Sequence, residues 1–104
     1  RGADLLTSTA RQIYLQQCLG LPTPAYAHLP VAVNTAGEKL SKQTRAHALD
    51  VVRPVSGLCA ALAFLGQRPP SELAAATVPE LWRWAVANWR LDRVPRGPAP
   101  GPVA

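Results

Sequence analysis

Lysine is almost absent from this chain: Lys39 and Lys42 stand against nine arginines, and both fall within one tetrapeptide, Lys39-Leu40-Ser41-Lys42. Cysteine is equally sparse. Cys18 and Cys59 lie far apart, form no Cys-x-x-Cys pair and have no histidines at zinc spacing, so no metal is expected on this chain and both thiols read as buried small hydrophobes in apolar helical segments. No stretch approaches the ~20 consecutive apolar residues of a membrane span, and no charged segment followed by an apolar core opens the chain. A soluble, cytoplasmic domain without a membrane partner is the expectation.

Acidic side chains are few, six against eleven lysines and arginines, which leaves a formal net charge of +5 and a sequence pI near 10.0. That balance suits an anionic partner such as nucleic acid. Hydrophobic residues make up 48%, too many for a disordered chain, and 104 residues suffice for one small domain that buries roughly two-thirds of its unfolded surface. The opening Arg1-Gly2-Ala3-Asp4 reads like the interior of a protein, so a fragment lacking its N-terminal part is expected.

Thr9-Ala10-Arg11-Gln12 has the form of a capping box, Tyr14/Cys18 and Leu15/Leu19 recur at helical spacing, and Gly20 supplies a stop; a helix is predicted over 9–19. The run Tyr26 to Val33 reads as one strand closed by the turn signal Asn34-Thr35-Ala36-Gly37, which puts the lysines on a loop leaving a strand. A lone strand needs neighbours, expected in the missing part. From Pro54 the pattern turns helical: an apolar segment ends at Gly66, Ser71 to Ala76 makes a short turn of helix, and Thr77-Val78-Pro79-Glu80 is a second capping box opening a helix to about Trp89. On that helix Trp82, Val86 and Trp89 share a face, a spacing that reads as core packing rather than base stacking. The tail, 95–104, is nearly all Pro, Gly, Ala and Val and is expected to be disordered.

An ammonium is a compact, hydrated point charge on a flexible stem, suited to a polyphosphate that moves and changes charge, whereas a guanidinium would clamp it in a planar fork. The two lysines therefore mark the place to look for chemistry, with Gly37 giving their loop backbone freedom. Their neighbours sharpen this. Arg1-Gly2-Ala3-Asp4-Leu5-Leu6, Ser8-Thr9-Ala10-Arg11-Gln12, His28-Leu29-Pro30, Asn34, Gly37 and Lys39-Leu40-Ser41-Lys42-Gln43 occur together and in order. This combination resembles the second half of the catalytic domain of a class I aminoacyl-tRNA synthetase of the glutamyl group, whose signature loop, usually written K-M-S-K-S, closes over ATP. Gln43 at the loop's last position, Leu5-Leu6 and Ser8, and an end about sixty residues after the loop are similar to the branch of that group without an anticodon-binding domain.

The resemblance implies an α/β fragment, mostly α-helical: the C-terminal part of a Rossmann-like catalytic domain over 1–45, with one strand before the K-M-S-K-S-type loop, then a helical region over 46–94 and the tail over 95–104. It implies ATP-dependent activation of glutamate, with Mg2+, and transfer to the queuosine base of tRNA(Asp), by a monomer whose zinc, if any, sits in the missing N-terminal part. The fragment would not be active alone. Lys42 and Lys39 would act on the triphosphate, the loop Lys39, Leu40, Ser41, Lys42 and Gln43 would bind ATP, and Arg1 would fork onto the glutamate substrate. Asp4 is expected to orient the segment of Arg1, and His28 to be a satisfied structural histidine. Ala10 departs from the family, which has proline there, at little cost to the helix. Two alternatives stay open: an ordinary glutamate–tRNA ligase, and a non-catalytic helical RNA-binding module that uses the basic loop as a phosphate contact.

Overall fold

The structure is a computed structural model that describes residues 1–41, 45–97 and 99–100. A 3₁₀ turn, Ala3–Ser8, leads into α1, Thr9–Cys18. The N-terminus of α1 departs from the expected capping box: Ser8 takes the cap position without a side-chain bond, because the side chains of Thr9 and Gln12 are engaged by Arg1. Its C-terminus follows expectation. Gly20 adopts φ 70°, Leu21 N–H donates to Gln16 O at 2.9 Å and Gly20 N–H to Gln17 O at 3.0 Å, the paired bonds that satisfy a helix's last carbonyls.

The expected strand over 26–33 shrinks to β1, Ala32–Val33. The residues before it run beside the start of the chain instead: Leu29 N–H donates to Arg1 O at 2.7 Å, Ala3 N–H donates to Leu29 O at 2.8 Å, and Pro30 has no N–H to extend the ladder. β1 pairs in parallel with β2, Ala99–Pro100, in the register Ala32↔Ala99 and Val33↔Pro100. The strand is thus shorter than its pattern suggests. Part of the tail is a strand, and it gives β1's unpaired edge a neighbour from within the chain itself.

The second half is helical. α2, Pro54–Phe64, starts with proline in the permitted first turn, and α3, Val78–Asn88, starts with the predicted capping box complete on both sides. Between them Ser71–Ala75 forms a 3₁₀ turn, and Leu91–Arg93 forms another after α3. Leu62, Leu81 and Ala85 form the buried apolar core of the described residues, with Val55, Leu58, Cys59, Leu73 and Trp84 packed against them. Among the described residues the helices dominate, and none is long and apolar enough to cross a membrane.

Two burial expectations change. Cys18 is exposed because no residue of α1 is buried, while Cys59 does pack on the core as expected. Trp84 packs on the core, but Trp82 and Trp89 remain 52% and 40% exposed, since Leu81 and Ala85 take the inward positions of α3. Gln67, 2% exposed, does what no pattern foretold. Its side chain accepts from Arg90 N–H at 2.8 Å and donates to the carbonyls of Arg90 and Leu65 at 3.1 and 2.7 Å, tying the end of α2 to the end of α3. Gly66, at φ 73°, permits this closure, for a Cβ there would lie 2.2 Å from Arg93 O.

Candidate functional site

The lysine loop leaves β1 through a turn that Asn34 organises. Its Oδ1 accepts from Ala36 N–H at 3.0 Å and Glu38 N–H at 2.9 Å, its own N–H donates to Glu38 O at 2.8 Å, and its Nδ2 donates to the Glu38 carboxylate at 3.0 Å. An asparagine side chain mimicking a backbone turn, with Gly37 at φ 80°, reverses the chain. Lys39 then bridges antiparallel to Val33, and Leu40 N–H donates to Ala32 O at 2.9 Å. Lys39 is thus planted on the ladder rather than out on the loop. Its Nζ donates to Asp4 Oδ2 at 2.7 Å, and that bond holds the Asp4 carboxyl below the usual carboxylate range. Ser41 is half-buried and its carbonyl accepts from Ala46 N–H at 3.1 Å. Lys42 and Gln43, expected at the business end of the loop, lie outside the described residues.

Arg1 stands at the centre of a second group, all of it half-buried. Its Nε–H donates to His28 Nε2 at 3.0 Å, and its two terminal nitrogens donate to Gln12 Oε1 and Thr9 Oγ1. The guanidinium lies over the Tyr26 ring, Cζ 4.6 Å from the centroid, and Tyr26 in turn stacks on His28 and donates its hydroxyl to Gln16 Oε1 at 3.1 Å. α1 supplies Thr9, Gln12 and Gln16, while the extended run before β1 supplies Tyr26 and His28. Among the described residues no carboxylate pairs with Arg1.

The two groups are joined through the short segment that follows Arg1. Gly2 bridges to Leu29, and Asp4, two residues on, reaches Lys39. A Cβ on Gly2 would come within 2.4 Å of Asp4 Oδ1, so the glycine lets the acid fold back toward the loop. A cleft of about 370 Å³ opens beside this junction, with Asp4, Pro30, Val31 and Lys39 on its walls. Of the predicted site residues the structure therefore connects Arg1, Lys39 and Leu40. The sequence reading missed Thr9, Gln12 and Tyr26 as partners of Arg1. Signals were present: Thr9 and Gln12 are three apart on a helix face, and Tyr26 and His28 are two apart on an extended run, the spacings that bring side chains to one side. A second cavity, about 410 Å³ between α2 and α3, is lined by Leu58, Leu62, Leu65, Trp82, Val86 and Trp89 and offers no titratable group. Nor is any group of three or more His, Cys, Asp or Glu placed to hold a metal ion among the described residues.

Comparison with known proteins decides the kinship. The chain is 64% identical over 96 residues to the glutamyl-Q tRNA(Asp) synthetase of Aromatoleum aromaticum, covering 92% of this chain and 30% of that protein. This chain is a relative of the glutamyl-Q tRNA(Asp) synthetases. Those of Dechloromonas aromatica and Chromobacterium violaceum are 59% and 52% identical, over 92% and 100% of this chain and 32% and 34% of their own lengths. The chain thus spans about a third of the glutamyl-Q tRNA(Asp) synthetases it matches. No protein-family model matches it.

Proposed function

We propose that this chain forms part of the active site of a glutamyl-Q tRNA(Asp) synthetase, a ligase that activates glutamate with ATP and Mg2+ and transfers it to the queuosine base of tRNA(Asp). The observation that carries the reading is the setting of Arg1. A half-buried guanidinium fixed by neutral acceptors and an aromatic face, with no carboxylate among the described residues to neutralise it, keeps its charge for an anionic ligand. Identities of 50% to 64% with the glutamyl-Q tRNA(Asp) synthetases support glutamate as that ligand.

In this reading a carboxylate oxygen of glutamate attacks the α-phosphorus of ATP, the bond from that phosphorus to the bridging oxygen breaks, and pyrophosphate leaves. Negative charge grows on the departing phosphates, and cations aimed at them stabilise the transition state more than the ground state. Lys42 takes this role first and Lys39 second, on a K-M-S-K-S-type loop of Lys39, Leu40, Ser41, Lys42 and Gln43. Asp4 anchors Lys39 on the β1 ladder, which supports a loop rooted beside the segment that begins with Arg1. Arg1 holds the amino acid. The remaining walls of the site, the Rossmann-like sheet and any zinc belong to residues outside this chain, and the whole acts as a cytoplasmic monomer.

Glutamate-dependent ATP–pyrophosphate exchange by the intact synthetase carrying this chain tests the reading. It should proceed without tRNA, fall at least a hundredfold in Lys42→Ala, by analogy with loss of a single transition-state contact at roughly 10²–10³ in rate, and be followed by labelling of queuosine-containing tRNA(Asp). Exchange unchanged in Lys42→Ala would remove Lys42 from the mechanism, and labelling at the terminal ribose instead would favour an ordinary glutamate–tRNA ligase.

A further inference from the structure

The cluster around Arg1 contains one acceptor whose competence depends on its protonation. His28 Nε2 accepts from Arg1 Nε–H at 3.0 Å and lies 3.5 Å from Thr9 Oγ1, whose own hydroxyl donates to Leu5 O at 3.4 Å. Accepting through Nε2 requires the neutral imidazole with its proton on Nδ1. The ring is held in that pose by stacking on Tyr26, with centroids 6.3 Å apart and planes inclined by 17°.

Each of the three contacts on the guanidinium does a different job. Gln12 and Thr9, both on α1, meet the terminal nitrogens, and these are also the nitrogens that a carboxylate fork must share. His28 takes Nε–H, which sets the rotation of the guanidinium plane about the side chain without occupying a terminal nitrogen. Tyr26 covers one face and leaves ligands to approach in the plane or from the other face.

We propose that His28 is a positioning residue for substrate binding: as the neutral imidazole it fixes the plane of Arg1 so that the free terminal N–H groups point at the ligand carboxylate. This rests on the reading of Arg1 as the group that meets glutamate. Without that acceptor the guanidinium plane is free to turn, and binding weakens while the adenylation chemistry, carried by other residues, is unchanged.

Pyrophosphate exchange by the intact synthetase carrying this chain, with glutamate varied, is the test. His28→Phe keeps a ring against Tyr26 and loses the acceptor; KM for glutamate should rise about fivefold to tenfold, the worth of one ordinary hydrogen bond, with kcat within about twofold. His28→Gln keeps an acceptor at the same reach and should restore KM to within about twofold of the parent. Unchanged KM in His28→Phe, or a KM in His28→Gln raised as far as in His28→Phe, would overturn the role of His28. Arg1→Lys separates the two claims: if it raises KM while the His28 variants do not, His28 alone is misassigned, and if it leaves KM unchanged the reading of Arg1 fails first.

Discussion

Asp4 and Lys39 stand 35 residues apart in sequence and 2.7 Å apart in space, and the ion pair they form is exposed. An exposed pair contributes little to folding, so its value is positional: it holds the root of the lysine loop against the segment that begins with Arg1. The Lys39 hydrogen bond lowers the Asp4 pKa in the folded chain. With the folded value below the unfolded one, the pair is intact above the ordinary aspartate pKa of about 3.9 and is lost as pH falls through the depressed value. The carboxyl carbon-13 shift of Asp4 should therefore titrate below that of a free aspartate, and Lys39→Ala should return it toward the ordinary value; a midpoint indifferent to Lys39→Ala would show that the contact is not formed in solution. This long-range pairing was not legible in the sequence, where Asp4 reads only as an acid near Arg1. The same holds for Thr9 and Gln12, whose pattern satisfies two physical descriptions, a helix cap and two acceptors one helical turn apart, and only the position of Arg1 selects between them.

At the scale of elements, the ends of helices were far more legible than the strand. Helix ends are settled by local chemistry: Gly20 and Gly66 both adopt positive φ, and Thr77 accepts from Glu80 N–H while the Glu80 carboxylate accepts from Thr77 N–H at 2.8 Å. The Thr77 N–H, together with the Thr77 hydroxyl that donates to the same carboxylate oxygen at 2.9 Å, holds the Glu80 carboxyl below its ordinary range. A strand is settled by its partner, and the partners of 26–33 are Arg1–Ala3, Lys39–Leu40 and Ala99–Pro100, none of which a local pattern can nominate. Because the second capping box is complete and the first is diverted, the two threonines should respond differently to truncation. Thr77→Ala should lower unfolding stability by about 1 kcal/mol, read from the denaturant midpoint, through loss of the cap on α3. Thr9→Ala should instead leave the α1 terminus as it is, with its cost appearing in the arginine side-chain resonances of Arg1. Loss of α1 helicity in Thr9→Ala, followed by circular dichroism and amide shifts, would contradict the assignment.

The whole molecule is more open than its mass requires. A folded protein of 11.1 kDa is expected to expose about 5,700 Å² and to have a radius of gyration of about 13 Å, against 7945 Å² and 16.3 Å here. The excess is in part apolar. Tyr14, Leu15 and Leu19 of the α1 region are 69%, 59% and 65% exposed, and Trp82, Val86 and Trp89 line an open apolar groove. Helical periodicity in the sequence announced both faces but not what would cover them, because a pattern reports which side is apolar and says nothing of the surface opposite. Contiguous exposed apolar area binds hydrophobic probes and weakens cooperativity, since unfolding then exposes little that was hidden. The 104-residue chain on its own should accordingly bind an anilinonaphthalene dye at neutral pH, with its tryptophan emission quenched or shifted on binding, and should unfold with a urea m-value below the 1–3 kcal/mol/M usual for small domains. Embedded in a synthetase of its relatives' length, the same sequence should lose most of the dye signal. A chain that excludes the dye and unfolds steeply on its own would mean that these faces close upon each other in solution, across the groove between α2 and α3.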